Sequence, residues 1–225
     1  MSISSRIDHL VVAADSLAQG VAWCEATLGV TPGPGGEHAF MGTHNRLMRI
    51  AGPAWPRAYL EIIAIDPAAP HPGRPRWFDL DDEALQTAVR QRPRLVHYVA
   101  STGDGTRALQ ALADLGIDRG PLLAAERQTP RGSLHWRISV RPDGQRLFDG
   151  CLPTVIEWGD THPCDTLPDC GLSLQSLTVS HPDARLQKAC AAIGLQGVRT
   201  QPGPPKLRAE LQGPRGLVVL DSADA

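Results

Sequence analysis

Three segments of this chain begin in the same way, and this repeat constrains the fold more than any other feature of the sequence. In each segment a short stretch of alternating apolar residues, typical of a strand, leads into an amphipathic helix that ends at a glycine. Glycine is favoured directly after a helix because it tolerates left-handed backbone. The intervals run from His9 to Gly29, from His97 to Gly116 and from Ser176 to Gly194, which are 20, 19 and 18 positions.

Strand patterns follow each of the three helices, punctuated by proline and glycine. Each segment therefore predicts the order strand, helix, strand, strand, strand (βαβββ). The predicted helices cover residues 15–28, 104–115 and 183–193, and the predicted later strands cover 37–41, 46–50, 58–64, 122–127, 134–140, 152–158, 197–200, 207–212 and 217–221.

The resulting fold class is α+β. The predicted divisions are a first module at 1–68, a proline-rich excursion with a short helix at 69–93, a second module at 94–160, and a linker with a third, degenerate unit at 161–225.

Composition narrows the class of protein. The formal net charge of −2 gives no long-range attraction to nucleic acid or to an anionic membrane. No apolar run approaches the roughly 20 residues that cross a bilayer, and the first residues lack the pattern of a secretory signal. The five cysteines are scattered and odd in number, which favours free thiols in a reducing cytoplasm. Arginine greatly outnumbers lysine, which is typical of a GC-rich bacterial genome.

Four polar residues interrupt apolar strands: His9, Glu61, His97 and Glu157. Each has an ordinary explanation, since a glutamate at a sheet edge is solvated or pairs with an arginine, and a half-buried histidine is hydrogen-bonded. Taken together they occupy the first and last strands of the first two segments. Nitrogen and oxygen ligands that converge from different strands suit a divalent metal such as Zn, Ni, Mn or Fe.

The chain resembles the vicinal-oxygen-chelate (glyoxalase-like) superfamily over residues 5–165. The resemblance implies that two βαβββ modules pair into a cup, and that His9, Glu61, His97 and Glu157 hold a metal. The third unit departs from that pattern, with Ser176 in place of histidine and the apolar pair Val219 and Leu220 in place of glutamate. The resemblance rests on residues 7–12, 41–47, 59–67 and 155–158.

Other polar residues are candidates for substrate binding. His44 and Asn45 lie either in a tight hairpin turn or at the rim of the cup. His135 and Arg137 alternate with apolar residues, so their face is either solvated or lines the cavity. Residues 103–108 match G-x-G-x-x-A, but an N-capping aspartate explains them better, and we expect no nucleotide cofactor.

The leading hypothesis is a metal-dependent isomerase, lyase or dioxygenase that acts on a small oxygen-rich molecule. The metal would polarise a carbonyl, and Glu157 or Glu61 would move a proton as the catalytic base. The alternatives are a metal-free protein that binds or sequesters a small molecule, and an assembly protein that uses the third unit. The sequence leaves a homodimer open, and with it the choice between module pairing within one chain and between chains.

Overall fold

A computed structural model describes residues 3–129 and 132–222. The predicted element order is present in the first two segments, and the third has one additional short strand after its helix. The strands are β1 (Ser5–Ala13), β2 (Glu37–His38), β3 (Thr43–Arg49), β4 (Tyr59–Ile65), β5 (Arg94–Thr102), β6 (Leu122–Thr129), β7 (Gly132–Ser139), β8 (Thr154–Trp158), β9 (Ser173–Ser180), β10 (Leu195–Gln196), β11 (Val198–Gln201), β12 (Lys206–Gly213) and β13 (Gly216–Asp221). The helices are α1 (Leu17–Thr27), α2 (Glu83–Gln91), α3 (Gly105–Ala113) and α4 (Arg185–Ala192).

A glycine follows the helix of each of the three repeated segments, as predicted. Gly29, Gly116 and Gly194 have φ angles of 73°, 71° and 60°. At such angles a side chain would crowd the following carbonyl group, so glycine is the least strained residue there.

The first two modules share one large sheet whose strand order is β2-β3-β4-β1-β5-β8-β7-β6. Within each module the first strand pairs in parallel with the last, β1 with β4 and β5 with β8. The modules join through antiparallel pairing of β1 with β5. The predicted pair of βαβββ modules is therefore confirmed, and it forms within one chain. The formation of a homodimer and the positions of the domain boundaries remain predictions.

The sheet has two buried faces. The helix face carries Leu10, Leu60 and Val155, which pack with residues of α1, α3 and the third unit. The cup face is the concave side, and it carries Val11, Ile63 and other apolar residues. Any side chain that reaches the interior of the cup must therefore come from the cup-face set of its strand.

The third unit has its own four-stranded sheet in the order β11-β9-β12-β13. Its first strand pairs with β11 and β12 rather than with the last strand, so it does not repeat the pairing of the two modules. Leu177 and Leu211 pack into the helix-face core. The short strand β10 pairs with the beginning of β1 at Ser5 and Arg6, a stretch of β1 that lies before the pairing with β4.

The excursion between the modules covers the cup. Its predicted helix is α2, which begins after Asp82, whose side chain accepts a hydrogen bond from the Leu85 amide. Before it, Trp77 and Phe78 are buried in the cup-face core. Within residues 3–129 and 132–222, no helix has both the length and the apolar character that crossing a bilayer requires.

Candidate active site

The site begins at a register shift in β1. Ile7 pairs with Ala100 and His9 pairs with Val99, so Asp8 has no partner in the ladder with β5. Such a bulge breaks the regular alternation of side chains and re-aims them. Asp8 and His9, although adjacent, contact each other: Oδ1 of Asp8 lies 2.7 Å from Nδ1 of His9. Both side chains are buried.

Asp8 is held as a carboxylate by three nitrogen groups. Besides His9, the indole Nε1 of Trp158 donates to Oδ2 at 2.9 Å, and Nε2 of His162 lies 3.1 Å from the same oxygen. Burial alone would raise the pKa of Asp8, but hydrogen bonds and charge from His162 and His9 hold it well below its usual range. Because a carboxylate only accepts hydrogen bonds, Nδ1 of His9 carries a proton and Nε2 is the nitrogen left for chemistry.

Nε2 of His9 faces Glu61. Glu61 lies on β4, and its Oε2 is 3.6 Å from that nitrogen. Its other oxygen, Oε1, accepts a hydrogen bond from Nδ2 of Asn45 at 2.6 Å. The ring of Tyr59 stacks on the ring of His9 with centroids 4.5 Å apart. Burial, followed by the charges of Asp8 and Glu61, raises the pKa of Tyr59 well above its usual value, so the phenol keeps its proton.

His38 completes this group of polar side chains. Its Nε2 lies 3.3 Å from Nδ2 of Asn45, which can only donate, so Nε2 accepts and Nδ1 donates to Oγ1 of Thr43 at 3.1 Å. Burial, with the positive charge of Arg127 next, lowers the pKa of His38 to about 3. His38 is therefore neutral and acts as a hydrogen-bond acceptor.

These groups surround a small cavity, the chamber, of about 30 Å³. An open cleft of about 680 Å³ adjoins it, and His38, Trp136 and Trp158 line both. The chamber has space for about one water molecule. Its other walls include His9, Asn45, Tyr59, Glu61, Trp77, Phe78 and Arg127.

His97 does not join His9 and Glu61. Burial, followed by the charge of Arg119, lowers its pKa well below the usual value. Its Nδ1 donates to the carbonyl oxygen of Gly150 at 2.9 Å, and its Nε2 accepts from the backbone amide of Thr154 at 3.1 Å. With both ring nitrogens bonded and a guanidinium group 3.4 Å from Nε2, His97 has no lone pair to offer a cation. Its predicted role as a metal ligand is not supported by this geometry.

Glu157 lies on the other side of the sheet. On β8, Ile156 belongs to the cup-face core and Val155 to the helix-face core, so Glu157 shares the helix face with Val155. Its Oε1 accepts from Nη2 of Arg137 at 2.7 Å, and its Oε2 accepts from the backbone amide of Gly105 at the start of α3, at 2.8 Å. Glu157 therefore pairs with an arginine and caps a helix.

The four predicted metal ligands therefore do not converge. Glu157 lies on the opposite face of the sheet, and both ring nitrogens of His97 are already hydrogen-bonded. Among the residues that the structure describes, no cluster of three or more His, Cys, Asp or Glu side chains is arranged to hold a metal ion. His9 and Glu61 remain together, but two protein ligands fall short of the three or four that metal sites generally supply.

The predicted substrate-binding residues separate into three places. Asn45 lines the chamber. His135 and Arg137 line the open cleft, where His135 faces Glu126 at 3.5 Å and Arg137 pairs with Glu157. His44 lies on the opposite face of β3 from Asn45, with Nδ1 3.8 Å from Asp66. Their part in binding stays a prediction.

Four residues of the site were not found from the sequence: Asp8, His38, Arg127 and His162. Asp8 precedes His9 directly, but regular alternation would place it on the other face. His162 lies outside the modules in a segment that the sequence identifies only as a linker. Asp104, by contrast, caps α3 through a hydrogen bond from the Arg107 amide, as the turn interpretation of residues 103–108 predicts.

The fold and the site define an α+β protein of two fused βαβββ modules, with a buried group of acid–base side chains at the base of their cup. A family profile described as a glyoxalase-like domain matches residues 7–194. The chain belongs to this family, which confirms the resemblance to the vicinal-oxygen-chelate superfamily.

A solved structure adds a likeness of fold. A hypothetical protein from Staphylococcus aureus superposes with a TM-score of 0.58 at 13% identity, over 88% of this chain and 86% of that one. A methylmalonyl-CoA epimerase from Streptomyces coelicolor, in complex with 2-nitronate-propionyl-CoA, gives a TM-score of 0.41 at 15% identity, over 72% and 99% of the two chains. The methylmalonyl-CoA epimerase from Mycobacterium tuberculosis gives 0.38 at 14% identity, over 68% and 85%. A search of curated proteins finds no significant match.

Proposed function

We propose that this protein is an enzyme of the isomerase or lyase type, which moves a proton on a small substrate that carries a carbonyl group. The observation that carries the proposal is the contact of His9 with two buried carboxylates. Asp8 lies 2.7 Å from Nδ1 and Glu61 lies 3.6 Å from Nε2 of the same ring.

The proposed step uses Nε2 of His9 as the base. This nitrogen takes a proton from the carbon next to the substrate carbonyl. The C–H bond breaks, its electron pair forms the enolate, and the proton remains on the imidazole ring. The imidazolium that results lies between Asp8 and Glu61, and two nearby negative charges stabilise a positive one in a buried site. Returning the proton to another carbon, or to a leaving group, completes an isomerisation or an elimination.

The surroundings of His9 favour this role. Asp8 fixes which ring nitrogen carries the proton, as an orienting carboxylate does for a catalytic histidine. Asn45 holds Glu61 in place through a 2.6 Å hydrogen bond. Aromatic walls exclude bulk water, which strengthens each electrostatic interaction inside the chamber. A divalent metal is not required by this proposal, and none of its steps depends on one.

The test is hydrogen–deuterium exchange at carbon, followed by NMR in D₂O on a panel of small 2-oxo acids, aldehydes and ketones. We expect the wild-type protein to exchange the proton next to a carbonyl, and His9→Gln to lose at least 100-fold of that rate. His71→Gln, at an exposed histidine of the excursion between the modules, is the matched control and should retain it. Exchange that survives in His9→Gln would contradict the proposal.

Metal dependence is decided in the same assay. One portion of the protein is stripped with a chelator, and others are supplied with Zn, Ni, Mn or Fe. We expect the stripped protein to retain exchange, and His97→Ala to leave any metal binding unchanged. Activity that appears only with one stoichiometric metal would instead support the metal-dependent alternative.

A metal-free binding protein is the second candidate, because His9 and Asn45 both contact Glu61 directly. Binding of a panel member without exchange, unaffected by His9→Gln, would favour it.

A further inference from the structure

Within the part of the chain that the structure describes, one cation of the chamber forms no ion pair with a carboxylate. Arg127 lies on β6, at the far edge of the sheet from module one, and lines the chamber beside Glu61 and His9. Among the ion pairs of residues 3–129 and 132–222, none includes Arg127. Its Nε is buried and has no hydrogen-bond partner.

Asn45 contacts both this cation and the carboxylate of Glu61. Oδ1 of Asn45 faces Nη1 of Arg127 at 3.4 Å, a long contact, while Nδ2 of the same amide donates to Glu61 at 2.6 Å. The amide therefore stands between the guanidinium and the carboxylate. A guanidinium presents a planar fork of five N–H donors, and only weak contacts engage it here.

The backbone leaves a place for this side chain. A Cβ added at Gly36 would lie 2.4 Å from Cδ and 2.6 Å from Nη1 of Arg127. Only glycine at position 36 lets the arginine cross from the edge of module two to the edge of module one. The residue thus spans the opening between β6 and the segment that precedes β3.

A partly buried, uncompensated cation is costly unless an anion binds it. The positive charge of Arg127 contributes to the lowered pKa of His38, so the side chain acts electrostatically on the chamber. Carboxylates match the guanidinium fork with two parallel hydrogen bonds. With about 30 Å³ of space, the group that enters must be small.

We infer that Arg127 binds the carboxylate of the substrate, and that the substrate is a short carboxylic acid which also carries a carbonyl group. That the substrate carries a carbonyl group rests on the proposed function, whereas that it carries a carboxylate rests on Arg127 alone. The acid group meets Arg127 in the chamber, which has space for one small group. The remainder of a longer substrate extends into the adjoining cleft.

The test compares pyruvate with pyruvamide, which has the same shape and no charge, by NMR titration of the full-length protein. We expect wild type to bind pyruvate at least tenfold more tightly than pyruvamide. Arg127→Gln should bind the two equally, and Arg127→Lys should recover part of the preference, since it restores the charge and not the fork. Arg107→Gln, an exposed arginine on α3, is the matched control and should behave as wild type.

Gly36→Ala provides a second variant that leaves the charge in the protein. The added methyl group meets the flexible arginine side chain rather than backbone, so Arg127 must move while the fold stays intact. We expect this variant to lose most of the preference for pyruvate. Equal binding of the two ligands by wild type, or an unchanged preference in Arg127→Gln, would overturn the inference.

The result separates the two proposals. His9→Gln should lose proton exchange and keep the preference for pyruvate. A preference that depends on Arg127, in a protein without exchange on any acid, leaves the carboxylate site standing and removes the proposed reaction. Exchange that depends on His9, with no preference for the charged ligand, does the reverse.

Discussion

Modules one and two place a histidine on the first strand and a glutamate on the last, yet only module one turns both toward the cup. His9 and Glu61 meet in the chamber with 3.6 Å between their nearest polar atoms. In module two, backbone groups of Gly150 and Thr154 bond both nitrogens of His97, and Glu157 lies on the helix face. The same residue types therefore line the chamber in one module and bond to backbone groups in the other. The difference shows that a shared sequence pattern gives a shared fold without giving a shared site.

After the loss of His9 itself, the largest expected effect comes from removing the charge that orients this histidine. Asp8→Asn keeps the size of the side chain but lets Nδ1 of His9 lose its fixed proton. We expect the exchange rate to fall by about 10³- to 10⁴-fold, as for other orienting aspartates. Single-turnover exchange in D₂O measures the change. A loss below tenfold would mean that Asp8 is structural, and the two modules would then differ less than proposed.

Substituting the equivalent glutamates of the two modules tests the difference between the modules directly. Glu61→Gln should lower exchange by about 10²-fold, because the imidazolium loses one of its two neighbouring charges. Glu157→Gln should leave exchange within about twofold and lower the free energy of unfolding by about 1 kcal/mol, because it weakens the cap of α3 and the pair with Arg137. Steady-state exchange and urea unfolding give the two values. The reverse assignment would move the site to module two.

Substitution of His97 should lower the stability of the folded protein rather than the exchange rate. His97→Leu keeps similar volume but leaves the Gly150 carbonyl and the Thr154 amide without partners, which we expect to destabilise the protein by about 2 kcal/mol. His135→Leu, at an exposed position, should change the unfolding free energy by less than about 0.5 kcal/mol. Urea midpoints measure both. An unchanged midpoint for His97→Leu would show that its hydrogen bonds contribute no net stability.

The two modules should differ least in how their buried histidines make stability depend on pH. His38 in module one and His97 in module two are buried and neutral, and the pKa of each is lowered, to about 3 for His38. Below the unfolded value of 6.5 the unfolded chain takes up protons that the folded protein refuses, so stability falls as the pH falls from 6.5 toward 3. Each histidine contributes about 1.4 kcal/mol per pH unit in that range.

Urea unfolding at pH 7, 6 and 5 measures this slope. His38→Asn and His97→Asn should each remove about one histidine's share, whereas His135→Gln should leave the slope unchanged. Equal slopes in all three variants would indicate that neither buried histidine is neutral in the folded protein.

The sequence predicts the modules, the helices and the glycines that end them, because these depend on local periodicity and on backbone preferences. Alternation along β4 and β8 is also predicted correctly, with Glu61 beside Tyr59 and Glu157 beside Val155. It does not reveal which alternating set faces the cup. In β4 the odd-numbered set does, and in β8 the even-numbered set does. That choice depends on how the strands register in the sheet.

Register shifts account for the other differences. In β1 the shift at Asp8 places Ile7 on the helix face and Val11 on the cup face, although simple alternation predicts that they share one. In β5 the ladder shifts at Val96, so Leu95 and Val99 also lie on opposite faces. A bulge is specified by long-range pairing rather than by the residues that form it, so periodicity alone misses it. Asp8 and its bond to His9 were missed for this reason.

The antiparallel contact of β1 with β5 lies within a single polypeptide. In an assembly of two identical subunits each substitution appears twice, once on either side of the symmetry axis. Fusion removes that constraint, so one half can keep reactive groups while its twin specialises as scaffold. The chamber, with His9 and Glu61 from one half and Arg127 from the other, has no such symmetry.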